Sequence, residues 1–190
     1  MLSTHEQLVG GANGQVFMGC RVPADTDYAP QLAQDGIVVA GELARRGVIG
    51  RIGIDFVTVC DQPGDWSRRA LEINLRKGGT THPYAALRNL VAGHYDAERG
   101  QWVSDRDATA RAYRSTDNVD DPAWTGRPPS SVIEAIRAAG LQFHPETGTG
   151  VVLHMLSCLA VDGRFGATAV GLTPDHADEM FEAMVDAVTG

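Results

Sequence analysis

Apolar residues alternate with polar ones in some stretches of the chain and recur every three to four residues in others, and each period predicts its own kind of element. Short apolar runs at 7–9 and 15–20 flank Gly10, Gly11, Asn13 and Gly14, the pattern of a hairpin. A glycine-rich phosphate cradle would need a helix directly after it, and none is indicated. Over 28–46, Leu32, Ile37, Ala40, Leu43 and Ala44 recur at helical spacing, with Asp25, Thr26 or Asp27 available to cap the start, Gly36 interrupting the run and Gly47 ending it. Residues 51–59 alternate, with Ile52, Ile54 and Phe56 on one face and Arg51, Gly53 and Asp55 on the other. Pro63, Gly64 and Asp65 turn the chain into a second strand over 69–76. There Leu71, Ile73 and Leu75 share one face, while Ala70, Glu72, Asn74 and Arg76 share the opposite one, so an antiparallel pair is expected.

A helix from Pro83, as its first residue, to about Leu90 or Ala92, ended by Gly93, follows this pair. Residues 94–129 are polar, with Trp102, Tyr113 and Trp124 as isolated anchors, and predict short strand-like pieces at best. Ser131 and Glu134 form a Ser-x-x-Glu capping box that opens a helix to Ala139, stopped by Gly140. Residues 151–173 predict two strands around Asp162 and Gly163, and a last helix runs from Pro174 to Val188. The predicted class is α+β, an antiparallel sheet flanked by helices.

Length and charge narrow the function. With 190 residues and 43% hydrophobic content, the chain can close a core as one domain, or as one domain with an appendage. A formal net charge of −8 argues against nucleic acid as a partner. Cys20, Cys60 and Cys158 lack paired spacing, which predicts reduced thiols. The amino terminus has no signal-peptide pattern, and the longest apolar run, 151–161, is too short to span a bilayer and contains His154. A cytoplasmic protein with no membrane partner is therefore expected.

The candidate chemistry lies on the polar face of the predicted strand pair. Glu72 and Asn74, two positions apart on a strand, stand about 7 Å apart on one side, and Asp55 faces the same way. An oxygen-only donor set favours Mg²⁺, a cation that shares its coordination with phosphates. The competing reading is a solvated strand face. Gly78 and Gly79 let backbone amides approach an anion, Thr80 and Thr81 offer hydroxyls, and Arg51, Arg76 and Lys77 add positive charge. His144 and His154 lack a recognised ligand spacing and are read as structural, and His82 is read either as orienting the loop or as capping the helix. Arg45 and Arg46 are read as a solvated helix end.

The run 50–57, Gly-Arg-Ile-Gly-Ile-Asp-Phe-Val, followed by 71–83, Leu-Glu-Ile-Asn-Leu-Arg-Lys-Gly-Gly-Thr-Thr-His-Pro, resembles the carboxyl-terminal half of ATP-grasp ligases. The nearest branch is the group resembling the pheganomycin peptide ligase, and Tyr113, Asp117 and Asn118 lie in a stretch that also resembles it. The resemblance implies an ATP-grasp carboxyl-terminal subdomain over 1–93 with an α+β appendage over 94–190. It implies ATP and Mg²⁺ as cofactors, with Mn²⁺ as the alternative ion, and Asp55, Glu72 and Asn74 as the metal ligands. Arg51, Arg76 and Lys77 would be the catalytic cations, and Gly78, Gly79, Thr80 and Thr81 would hold the phosphate or acyl phosphate. The implied activity joins a small-molecule carboxylate to an amine through an acyl phosphate. Many family members carry arginine two residues before the metal aspartate, where this chain has Gly53, and Arg51 or Arg76 is the expected substitute. The family's nucleotide-clamping lysines precede a region like 1–19, so an incomplete ligase chain is expected: a truncated product, a half that works with an upstream nucleotide-binding polypeptide, or a remnant that no longer turns over. A non-catalytic module binding Mg²⁺, phosphate or a partner is the alternative. A metal hydrolase is disfavoured, because no activated nucleophile is evident.

Overall fold

The computed structural model describes residues 1–190. The chain runs β1 (Glu6–Gly10), β2 (Val16–Val22), α1 (Ala29–Arg45), β3 (Gly53–Gln62), β4 (Asp65–Asn74), α2 (Thr81–Leu90), β5 (Gly93–Asp96), β6 (Gln101–Ser104) and β7 (Ala110–Asp120). It continues with α3 (Pro129–Ala138), β8 (Gly150–His154), α4 (Leu159–Asp162), β9 (Arg164–Gly171) and α5 (Pro174–Thr189). Seven strands form one sheet in which β7 pairs with β2, β6 and β9, while β3 and β4 pair only with each other. Every strand pairing is antiparallel, and five helices flank the sheets, so the α+β class holds. The large sheet draws strands from both sides of residue 93.

Its two faces carry separate cores, which follows from the period-2 alternation of β9. Phe165, Ala167 and Ala169 face one way, onto Val132 and Ile136 of α3 and Phe181, Met184 and Val188 of α5. Val170 faces the other way, with Cys20, Val22, Trp102 and Tyr113, and is covered by Tyr84 and Leu87 of α2. A third, smaller cluster, Ala24, Tyr28, Ala29 and Leu32, joins the start of α1 to Phe56 and Trp66 of the β3–β4 hairpin.

Several expectations need correction. The polar stretch 94–129 contains three strands, one of them the 11-residue β7. Its polar side chains are buried because each finds a partner: the Ser115 and Thr168 hydroxyls bond at 2.8 Å, and the Thr116 hydroxyl donates to the Met18 carbonyl. Arg111 is 1% exposed and spends its donors on Asp107, Thr109 and the carbonyls of Ala110, Thr147 and Gly148. Ser131 and Glu134 do not form a capping box. The helix starts earlier, at Pro129, and the Ser131 hydroxyl donates back to the Pro128 carbonyl at 2.8 Å. Likewise α2 starts at Thr81, which makes Pro83 its third residue, while its end at Leu90 is one of the two expected, and Gly93 opens β5.

Candidate functional site

Backbone pairing sets the site's geometry. In the β3–β4 hairpin Asp55 lies directly opposite Glu72, and Gly53 lies opposite Asn74. Directly paired residues project from the same face, so Asp55, Glu72 and Asn74 come together as the alternation predicted. The Asn74 amide donates to Asp55 Oδ2 at 3.4 Å, and the Gln7 amide, arriving from β1, donates to Asp55 Oδ1 at 3.3 Å. Burial raises the Asp55 pKa, and the charge of Glu72 opposite raises it further. Arg76 and the Gln7 hydrogen bond act the other way. Two carboxylates paired across strands repel one another, and a cation between them relieves that repulsion.

Beyond this pair the alternation breaks. The register shifts between Asp55 and Phe56, so that Phe56 pairs with Ala70 and Leu71 is the extra residue of a bulge. Ala70 therefore lies on the face opposite Glu72, contrary to the expected grouping. The apolar side stays open, with Leu71 70%, Ile73 44% and Leu75 57% exposed. α1 instead holds the hairpin at Phe56 and Trp66.

The expected cations are only partly gathered. Arg76 is close enough for its charge to act on Asp55, while its guanidinium donates to the Lys77 carbonyl at 3.3 Å. The Arg51 guanidinium stacks over the Tyr84 ring of α2, 5.5 Å from the centroid, which ties the start of β3 to the helix that follows the loop. Lys77 is exposed.

The loop is a closed turn. The Gly78 N–H donates to the Thr81 hydroxyl at 3.1 Å and the Thr81 N–H donates to the Gly78 carbonyl at 3.0 Å, so the Gly78 amide, expected to be open to an anion, is occupied. Gly79 is needed for space, since a Cβ there would stand 3.1 Å from the Phe17 ring of β2. Thr80 caps α2 without a side-chain hydrogen bond, and of the first-turn amides those of Thr81 and Tyr84 are bonded to the Gly78 and Thr80 carbonyls and Pro83 has none, which leaves the Thr80 hydroxyl and the His82 N–H for a ligand. Gln7 and Tyr84 were not foreseen. Gln7 reaches the site from β1, distant in sequence, and Tyr84 meets Arg51 from α2, directly after the loop; no local spacing announces either contact.

Residues 131–184 match the PGM1 C-terminal domain family. The chain is also 34% identical over 193 aligned positions to the L-propargylglycine--L-glutamate ligase of Streptantibioticus cattleyicolor, a match that takes in 100% of this chain and 38% of that protein. The chain thus spans well under half the length of this curated relative. Over its whole length the chain is therefore similar to part of that ligase, and over 131–184 to the PGM1 C-terminal domain.

Proposed function

We propose that this chain supplies the metal- and phosphate-binding part of an ATP-dependent carboxylate–amine ligase that works through an acyl phosphate. The observation that carries this reading is the register of β3 against β4, which sets Asp55 opposite Glu72 with Asn74 hydrogen-bonded to the same aspartate. Two carboxylates and an amide form a hard-oxygen set suited to Mg²⁺ or Mn²⁺. Asn74 would offer its Oδ1 after a turn of its amide. A divalent ion held there neutralises phosphate charge.

The remaining roles belong to the chain itself. Arg76 and Lys77 add positive charge at the exit of β4, and Arg51, held against Tyr84, stands at the entrance of β3. The Thr80 and Thr81 hydroxyls and the His82 N–H offer donors to a phosphoryl or carboxylate oxygen. Catalysis on this reading is positioning and electrostatics, with small-molecule acid and amine as substrates and ATP as the activating nucleotide. The relative's printed name, a ligase joining L-propargylglycine and L-glutamate, makes amino acids the first substrates to try.

The test is Mg²⁺-dependent ADP release by the full chain, alone and with an upstream nucleotide-binding polypeptide, using L-glutamate and the other proteinogenic amino acids. Glu72→Ala should lower the rate by a factor of roughly 10³ or more. Undiminished turnover in that variant overturns the assignment. A second reading, a partner-binding module, is favoured by the exposed apolar residues of the hairpin. It predicts partner binding with no nucleotide turnover in any combination.

A further inference from the structure

Next to the Gly-Gly-Thr-Thr turn the large sheet carries a polar group that the reading above leaves unused. His154 is the last residue of β8, and its Nε2 lies 2.8 Å from Asp117 Oδ1 on β7. β9 runs between these strands, with Gly166 paired to His154. Two features let the side chains meet across it. A Cβ at Gly166 would overlap the His154 ring, so only glycine leaves room for the imidazole. The β7–β9 register also shifts between Thr116 and Val119, a bulge that sets Asp117 and Asn118 against Gly166 and turns the carboxylate toward the histidine.

The His154 side chain is 9% exposed, and its Nδ1 is buried with no hydrogen-bond partner. A carboxylate only accepts, so Asp117 fixes the proton on Nε2 and leaves Nδ1 bare. A second proton would place an unsatisfied charge in the interior. Burial accordingly lowers the His154 pKa, against the pull of Asp117 and with a further lowering from His82. His82, exposed in the first turn of α2 and adjacent to Thr81, stacks on this ring with centroids 4.3 Å apart and planes inclined at 39°. The titratable groups facing His154 are thus Asp117 from β7 and His82 from α2, while β9 presents the bare backbone of Gly166.

We propose that His82 is the base that takes the proton from the attacking amine, and that the Asp117–His154 pair positions it. The inference rests on the ligase reading above. In the step, the amine lone pair forms the C–N bond at the acyl carbon, the C–O bond to phosphate breaks, and phosphate leaves with that electron pair. The proton lost by the nitrogen goes to the unprotonated ring nitrogen of His82 and then to solvent. Imidazole is the side chain best matched to moving a proton near neutral pH. A neutral His154 beneath it fixes the His82 ring beside the loop without placing a like charge under it.

Hydroxylamine separates this step from acyl phosphate formation, because it attacks as a neutral nucleophile and needs no base. The full chain, with its upstream polypeptide if turnover requires one, is given ATP, Mg²⁺ and L-glutamate or another proteinogenic amino acid. Amide and hydroxamate yields are then compared. His82→Gln should lower amide formation by roughly 10²-fold, with a far smaller loss of hydroxamate and without the acid limb of the pH–rate profile. Asp117→Asn and His154→Gln should each shift that limb. Equal loss of both products in His82→Gln, or full amide formation, overturns His82 as the base. Wild-type chain that forms neither hydroxamate nor ADP overturns the ligase reading instead, and this inference with it. NMR of the imidazoles gives a readout independent of turnover and of any variant's folding: at neutral pH His154 should be neutral with its proton on Nε2, and a protonated His154 there overturns the positioning pair.

Discussion

His5 and Tyr113 illustrate what one buried contact does to one side chain. The His5 Nε2 and the Tyr113 hydroxyl lie 2.8 Å apart, and burial lowers the His5 pKa from 6.5 to about 4. Neutral imidazole accepts the phenol proton, whereas the imidazolium cannot. The folded pKa is below the unfolded one, so the unfolded state binds the extra proton first as pH falls. Stability is therefore whole above about pH 6.5, declines as pH falls toward about 4, and levels off below. His154, also lowered, acts in the same direction. We expect denaturant titrations of the wild type to show roughly 2 kcal/mol more loss across that window than those of His5→Gln, after discounting for the half-buried ring. Equal losses would remove the contact from the account. At this scale the shared face of Glu72 and Asn74 was legible, because residues two apart on a regularly paired strand share a face. Asp117 and His154 were not, because 37 positions, an intervening strand and a bulge separate them.

The β3–β4 hairpin is the element on which the candidate site depends, and it is held lightly. It has two strands, pairs with no other strand, and rests on α1 through Phe56, the Tyr28–Trp66 ring contact at 4.8 Å and the Arg68–Asp35 ion pair at 2.8 Å. A ribbon of this kind should open locally before the molecule unfolds. Hydrogen exchange should find the β3 and β4 amides less protected than those of β7 and β9, and Mg²⁺ should slow exchange in the hairpin alone. Phe56→Ala should destabilise the hairpin by about 2 kcal/mol and weaken Mg²⁺ binding, while the main melting transition stays in place. A downward shift of that transition would show the hairpin to be part of the global fold. The two strands were readable from their alternation. What alternation misses is the extra residue at Leu71, which moves Ala70 to the other face. β7 was missed for a related reason: Arg111, Ser115 and Thr116 read as surface positions until partners on β2, β9 and the 144–150 turn satisfy them.

For the whole molecule, global stability resides in the cores on the two faces of the large sheet, above all the one beneath α3 and α5. Phe165, fully buried there against Trp124, is the test: Phe165→Ala should cost about 3–5 kcal/mol and lower Tm by about 10 °C in a single transition. A small shift would mean that the sheet relaxes into the cavity. No helix is long and apolar enough to cross a membrane. The sequence by itself determined the α+β class, both hairpin strands, the principal helices and the shared face of Asp55, Glu72 and Asn74, because these follow from local periodicity and turn chemistry. Only the tertiary structure decided that the polar stretch 110–120 is the most connected strand of the sheet, that Gln7 reaches Asp55, and that His82, His154 and Asp117 meet across Gly166. Contacts of that kind depend on which distant segments come to lie side by side, and on the missing side chain or extra residue that lets them touch, which no repeat along one stretch of chain encodes.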